Sequence, residues 1–372
     1  MLAKIHRLEK CTRGAFTLNN FDKNGISPWI SLMLIISNIH ERPYKNRWMD
    51  LLIHSVLCPT LAMDKYFALL ALVALLAQDT FQYQQTKVRR SVSQSNRNYE
   101  CGVRKQHIVG DLITNGSNAT AGEWPWHGAV FQRKSRRSRE YMCGATLIHE
   151  NFAITVRRCV VDRESGYEVS ARLLTVDFGN VQLLGSSSHG QTHRVLEIFL
   201  HPQFTIDSNK HDVAILSLVS RVSFSNYVVP ICLGYNSSKT SIHDIVGKVG
   251  VVVGWSPTEE DVASINLKQS NVPVVDHAEC LKTDPELFGP IVYPGMFCAG
   301  YRNGTNVCNG DNGGGMYFEN EQKWFLRGIT SFSTILEAGS NKCDVKNYAG
   351  FINVQYYASW IRHTVDDASN MD

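Results

Sequence analysis

The sequence predicts an all-β fold, on three observations. Short runs rich in β-branched and aromatic residues recur from residue 126 onward, turn residues separate them, and no stretch of helical period lies between them. The first set of runs covers residues 127–131, 146–156, 172–178, 193–200 and 213–219. The second covers 246–255, 265–275, 295–300, 323–331 and 349–354. Strands so closely spaced argue for β-barrels. A closing helix is predicted over 355–366, with Tyr356, Trp360 and Ile361 available for one face.

The 372 residues would allow two domains by length, but the front of the chain does not read as one. Met63-Asp64-Lys65-Tyr66 is a short charged start, followed by an apolar run over 67–77 that ends on Ala77. Residues 63–77 therefore read as a secretory signal peptide, too short to span a bilayer. Residues 1–62 then read as an extension of the gene model or a disordered stretch, with translation starting at Met63. The alternative is an uncleaved signal anchor near 67–77. Residues 78–111 are polar, carry the dibasic Arg89-Arg90, and read as a short flexible prosegment tethered by Cys101. No clip-type domain fits so short a piece with one cysteine. The strands occupy 112–366, and 367–372 form a tail.

Eight of the ten cysteines follow the signal peptide, leaving Cys11 and Cys58 outside. Sequons at Asn115, Asn118, Asn236 and Asn303 agree with a secreted, extracellular glycoprotein. A net charge of +3 with both signs mixed makes no case for nucleic acid. No cofactor and no metal is expected. One basic run stands out, Arg133-Lys134-Ser135-Arg136-Arg137-Ser138-Arg139. It reads either as a solvated loop or as a binder of acidic polysaccharide or an acidic protein face.

Chemistry concentrates in Cys308-Asn309-Gly310-Asp311-Asn312-Gly313-Gly314. Acyl transfer needs a hydroxyl or thiol that a base can deprotonate, beside backbone N–H groups that receive the oxyanion. Gly310 and Asn312 could supply the N–H groups, whereas the Asn312 amide is no nucleophile. Taken alone, the run also reads as a glycine-rich turn. It is accompanied by Gly122-Glu123-Trp124-Pro125-Trp126-His127, Cys143-Gly144-Ala145-Thr146-Leu147-Ile148, Ala153-Ile154-Thr155-Val156-Arg157-Arg158-Cys159, His211-Asp212-Val213-Ala214-Ile215-Leu216 and Gly254-Trp255.

In content, order and spacing these segments resemble the trypsin/chymotrypsin serine protease family over about residues 112–366. The resemblance implies two six-stranded antiparallel β-barrels with a cleft between them and a C-terminal helix. It also implies the disulfides Cys143 with Cys159, Cys280 with Cys298, Cys308 with Cys343 and Cys101 with Cys232, a set suited to an oxidising compartment. The basic run would lie on a loop beside the substrate cleft.

The family's catalytic histidine, aspartate and serine fall on Arg158, Asp212 and Asn312. Arginine remains protonated and cannot act as a base. Each replacement is one base change from the family residue, so a sequence error is the alternative. Neighbouring drift argues against it: the family's Thr-Ala-Ala-His-Cys reads Thr155-Val156-Arg157-Arg158-Cys159 here, and its usual proline is Gly315. The pocket base is Asn306 rather than an aspartate, and Ser331-Phe332-Ser333 matches the pocket wall, with Ser333 for glycine narrowing it. Asp311 is the family's partner for the ammonium freed by activation. No Lys or Arg precedes the candidate N-terminus at Ile113, however, so trypsin-like activation there is not expected.

The expectation is a secreted, catalytically degenerate homologue, of the kind found among insect extracellular cascade proteases. It would act by binding another protease or cascade component, as cofactor or decoy in an immune or developmental cascade, with no membrane span in the mature form. One alternative is an active serine-type endopeptidase using substitute groups. The other is a binder of acidic polysaccharide through the basic loop.

Overall fold

The computed structural model describes residues 74–75, 77–78, 99–105, 117–162, 165–185, 187–204, 210–234, 241–256, 264–302, 308, 311–334, 343–344 and 346–370. The chain divides into units 1–87 and 88–372. In the first, residues 74–75 and 77–78 are helical. Residues 1–62, most of the stretch 63–77 expected to be a signal peptide, Arg89-Arg90, Ile113, Asn115, Asn236, Asn303, Asn306 and Gly310 lie outside the described residues. No helix among the described residues is long and apolar enough to cross a membrane.

The second unit is built from two closed antiparallel barrels. Strands β2 (His127–Arg133), β3 (Arg139–His149), β4 (Phe152–Thr155), β5 (Leu174–Phe178), β6 (Gln191–Leu200) and β7 (Ala214–Leu218) close in the order β2-β3-β4-β7-β6-β5. The second barrel uses β8 (Val249–Gly254), β9 (Lys268–Val275), β10 (Met296–Ala299), β11 (Gly315–Asn320), β12 (Lys323–Phe332) and β13 (Ala349–Asn353). Its order is β9-β10-β13-β12-β11-β8, and β8 returns to β9. The short β1 (Ser117–Asn118) adds to β9. This is the architecture the family resemblance implies.

Several element boundaries differ from expectation. The run 146–156 is two strands, because the chain turns at Glu150-Asn151 between β3 and β4. β11 follows the glycine-rich run directly, and its few apolar residues, Met316 to Phe318, hid it from pattern reading. Two helices interrupt the second barrel, α1 (His277–Thr283) and α2 (Pro285–Phe288). Their signals were caps rather than periodicity. The Asp276 side chain accepts from Glu279 N at 2.7 Å and that of Asp284 from Leu287 N at 3.0 Å, with Pro285 opening α2. The last helix, α3 (Ala358–Asn370), starts later than predicted. Ile361 is buried on it, while Tyr356 precedes it and is 48% exposed; Tyr357 occupies the core instead. In β6 a register shift between Val195 and Glu197 moves the inward face from Val195 to Ile198, which breaks the simple alternation of the strand.

An aromatic cluster joins the barrels. Trp124 stacks on Tyr317 of β11 with centroids 5.5 Å apart and meets Trp324 of β12 edge-on at 4.9 Å, while Trp126 lies fully buried against Tyr317. Each such ring contributes on the order of 1.5–3 kcal/mol by leaving water. The chain ahead of β1 is part of this body. Cys101 is bonded to Cys232, Gly102 N donates to Pro230 O at 2.8 Å, and Trp324 N donates to Gly102 O at 2.9 Å. The segment 99–105 is therefore docked on the second barrel rather than loose at that point. The other disulfides are Cys143–Cys159, Cys280–Cys298 and Cys308–Cys343.

Candidate active site

Arg158 sits on the single turn Arg157–Cys159 that follows β4, and Cys159 ties this turn to Cys143 of β3. Asp212 precedes β7 on a turn where His211 has φ +59°. Barrel closure brings both to Ser331 of β12. Arg158 N donates to Asp212 Oδ1 at 2.9 Å and Arg158 Nε to Oδ2 at 2.7 Å. Ser331 Oγ donates to the same Oδ2 at 2.7 Å, and Arg158 Nη2 lies 3.4 Å from Ser331 Oγ. The carboxylate is almost wholly enclosed, at 3% exposure, whereas the guanidinium side chain keeps 29%. A charge buried to this degree is stable only with such partners. Within the arrangement the guanidinium acts only as a donor, and the Asp212 carboxylate accepts all three short hydrogen bonds.

The glycine-rich turn is held by both barrels. Gly144 N of β3 donates to Asn312 O at 2.8 Å, Gly313 N donates to Thr330 O at 2.8 Å, and Thr330 N donates to Gly314 O at 2.8 Å. Gly313 adopts φ +79°, and a Cβ there would overlap Thr155 Oγ1 and the Gly144 carbonyl, so glycine is required. Asn312 Oδ1 is buried with no hydrogen-bond partner among the described residues. The Asn312 side chain thus brings an amide, with no hydroxyl, to this turn.

Asp311 is buried beneath this turn. Its Oδ2 accepts from Ser256 Oγ, and from Cys308 N at 3.0 Å. Burial pushes its pKa up, and these hydrogen bonds pull it back. Ser331 forms part of the expected pocket wall but is committed to Asp212; Ser333 Oγ lies 3.5 Å from Cys343 Sγ. His211 is engaged elsewhere. Its Nδ1 lies 3.1 Å from Tyr357 Oη, and its ring stacks on His201 at 4.8 Å.

Three contributors were not legible as site residues. His127 is buried behind the glycine-rich turn, with Nδ1 3.3 Å from Tyr317 Oη, and a Cβ built on Gly144 or Gly314 would stand 3.3 Å from its Cε1. Burial lowers its pKa to about 3. Arg157 lies over the Phe204 ring at 3.3 Å. Burial lowers its pKa and the Asp212 charge raises it. Ser256 caps Asp311. Only Arg157, next to the histidine position, carried a signal: a second cation in a row.

In the basic run, Arg139 pairs with Asp177 at 2.8 Å and covers Phe131, and Lys134 pairs with Glu140 at 3.4 Å. Arg133, Arg136 and Arg137 are exposed with no ionic partner among the described residues. Asn118 of β1 is exposed.

The family model described as Trypsin matches residues 113–361. The chain is 29% identical over 274 residues to Limulus clotting factor C of Carcinoscorpius rotundicauda, covering 71% of this chain and 26% of that protein. It is 29% identical to CLIP domain-containing serine protease B15 of Anopheles gambiae, covering 70% and 71%. It is 28% identical to transmembrane protease serine 11C of Mus musculus, covering 76% and 60%. The chain thus spans about a quarter of the clotting factor C relative.

Proposed function

The chain belongs to the trypsin family, and from that premise we propose that it is a non-catalytic member which works by binding protein. The observation that carries this reading is the Arg158–Asp212 pair. Where a base would sit there is a permanent cation already bound to the aspartate, and Asn312 stands in the nucleophile position without a transferable proton. The partner is a protease or another member of an extracellular cascade, toward which the chain acts as cofactor or decoy. Its similarity to a clotting factor and to CLIP-domain proteases supports the cascade setting. Four disulfides, an exposed sequon at Asn118 and a charged start and apolar run over 63–77 that reads as a signal peptide support a secreted glycoprotein.

Fluorophosphonate labelling of the secreted protein tests the reading, beside a version carrying Arg158→His and Asn312→Ser. The native chain is expected to remain unlabelled. Labelling of the native chain would return it to the active endopeptidases and require a nucleophile other than Ser331, whose hydroxyl donates to Asp212.

A further inference from the structure

A pocket of about 400 Å³ opens on the first barrel, where the loop ahead of β6 faces the chain that follows β7. Its size falls at the small end of the range for small-molecule sites, about 300–1,000 Å³. None of its lining residues belongs to the glycine-rich turn, the Arg158–Asp212 pair or the basic hairpin.

Its walls are held from three directions. The Gln191 side chain clasps the opposite chain, donating from Nε2 to Ser223 O at 2.6 Å and accepting from Ser223 N at 3.0 Å through Oε1. His189 lies flat on Tyr227, with ring centroids 3.5 Å apart and planes within 7° of parallel. Tyr227 N in turn donates to Ser225 Oγ at 3.2 Å. The third wall is Tyr99, delivered by the segment that Cys101 ties to Cys232. Tyr99 meets Phe224 edge-on at 6.5 Å, and Lys105 Nζ stands 4.5 Å from its ring centroid.

The chemistry of the lining is narrow. It consists of aromatic rings, hydroxyls, amides and backbone, with no carboxylate, lysine or arginine. Ser223 and Asn226 are exposed, and no hydrogen bond among the described residues uses the Ser223 hydroxyl or the Asn226 amide. An ionic ligand would find no fixed counter-charge in the lining, and a wholly apolar one would cut these polar groups off from water. A neutral sugar suits both conditions, because its C–H face can lie on a ring while its hydroxyls donate and accept.

We propose that this pocket binds a neutral carbohydrate, one or two sugar units of a longer glycan. A sugar face packs on the open side of His189 or on Tyr99, and its hydroxyls bond Ser223 and Asn226. Tyr227 acts by backing the His189 ring. The site stands whether or not the chain cleaves peptides, and it gives the protein a contact separate from both the cleft and the basic hairpin.

Saturation-transfer NMR titration of the full-length protein tests the site. Cellobiose and N,N′-diacetylchitobiose stand for polysaccharide chains, and a mannotrioside stands for the glycan of a glycoprotein; the responding probe names the source. His189→Ala and Asn226→Ala change exposed residues, and Tyr99→Ala removes the wall ahead of Cys101. Circular dichroism melts confirm that each is folded. Each variant is expected to weaken binding about tenfold, whereas Tyr99→Phe, which keeps the ring, should bind nearly as the native chain does. Affinity should also be the same at about 0.05 and 0.5 M salt, because no ion pair is formed. Silence from all three sugars overturns the proposal. So does binding that survives both His189→Ala and Asn226→Ala, which would place the sugar elsewhere. A response confined to sulfated sugars and abolished by Arg133→Gln/Arg136→Gln/Arg137→Gln overturns it too, since the hairpin would then be the carbohydrate site.

Discussion

Arg158 and Ser331 donate to the same oxygen of Asp212, each at 2.7 Å. Asp212 thus holds a guanidinium and a hydroxyl on one carboxylate oxygen, an ion pair with a shared acceptor.

Arg158→Ala removes one donor and leaves Asp212 with Ser331 Oγ and one backbone N–H. Breaking a fully buried pair costs about 3–5 kcal/mol; the partial exposure of Arg158 reduces this to about 1–3 kcal/mol. Urea denaturation of native and variant chains checks it, and an unchanged midpoint would contradict it.

Gly313→Ala is expected to be more damaging. The left-handed backbone adds about 1–3 kcal/mol, and overlap with Thr155 and Gly144 adds a similar amount. Folded yield and melting temperature should both fall sharply.

Arg104 lies over Trp124 at 3.9 Å and Trp324 at 4.1 Å, and burial lowers its pKa to about 10, so it remains charged at neutral pH. Arg104→Ala should cost about 1–3 kcal/mol, and Arg104→Lys should recover little of it, because an ammonium does not stack between two indoles. Limited trypsin digestion of the native chain, followed by reduction and N-terminal sequencing, should show cleavage after the exposed Lys105 and not after Arg104.

Acid should destabilise the fold through His127. The folded chain keeps it neutral down to about pH 3, whereas an unfolded histidine titrates near 6.5. Between those values the unfolded chain binds more protons. Stability from this group is therefore complete above about pH 6.5 and declines as pH falls, by up to about 1.4 kcal/mol per unit. His201, lowered to about 4 by burial and by its neighbour His211, acts in the same direction. Asp311 acts oppositely, since its raised pKa favours proton uptake by the folded state. Denaturation midpoints against pH should show a shallower slope for His127→Gln.

Much of the fold was legible because its strands are short and bounded by turn residues. The misses share a cause. α1 and α2 are too brief for a 3.6-residue period to register, and β11 lies behind glycines that read as a turn. Tyr356 was grouped with Trp360 and Ile361 on one helix face, whereas Tyr357 is the tyrosine in the core, since helix phase depends on a start that only the structure supplies. At the site, Arg157 was visible as a neighbouring cation, but nothing local tied His127 to the glycine-rich turn or Ser256 to Asp311.

The sequence by itself put Arg158 and Asn312 where the family resemblance expects the histidine and serine, and side-chain identity alone decides whether an atom there can accept or give up a proton. Only the tertiary structure decided where the guanidinium goes, that Ser331 shares its acceptor, and that His127 meets Tyr317. Those partners lie 54, 119 and 190 residues apart in the chain. Local pattern encodes contacts within a turn or a strand pair, whereas contacts at such separations exist only after both barrels have closed and packed.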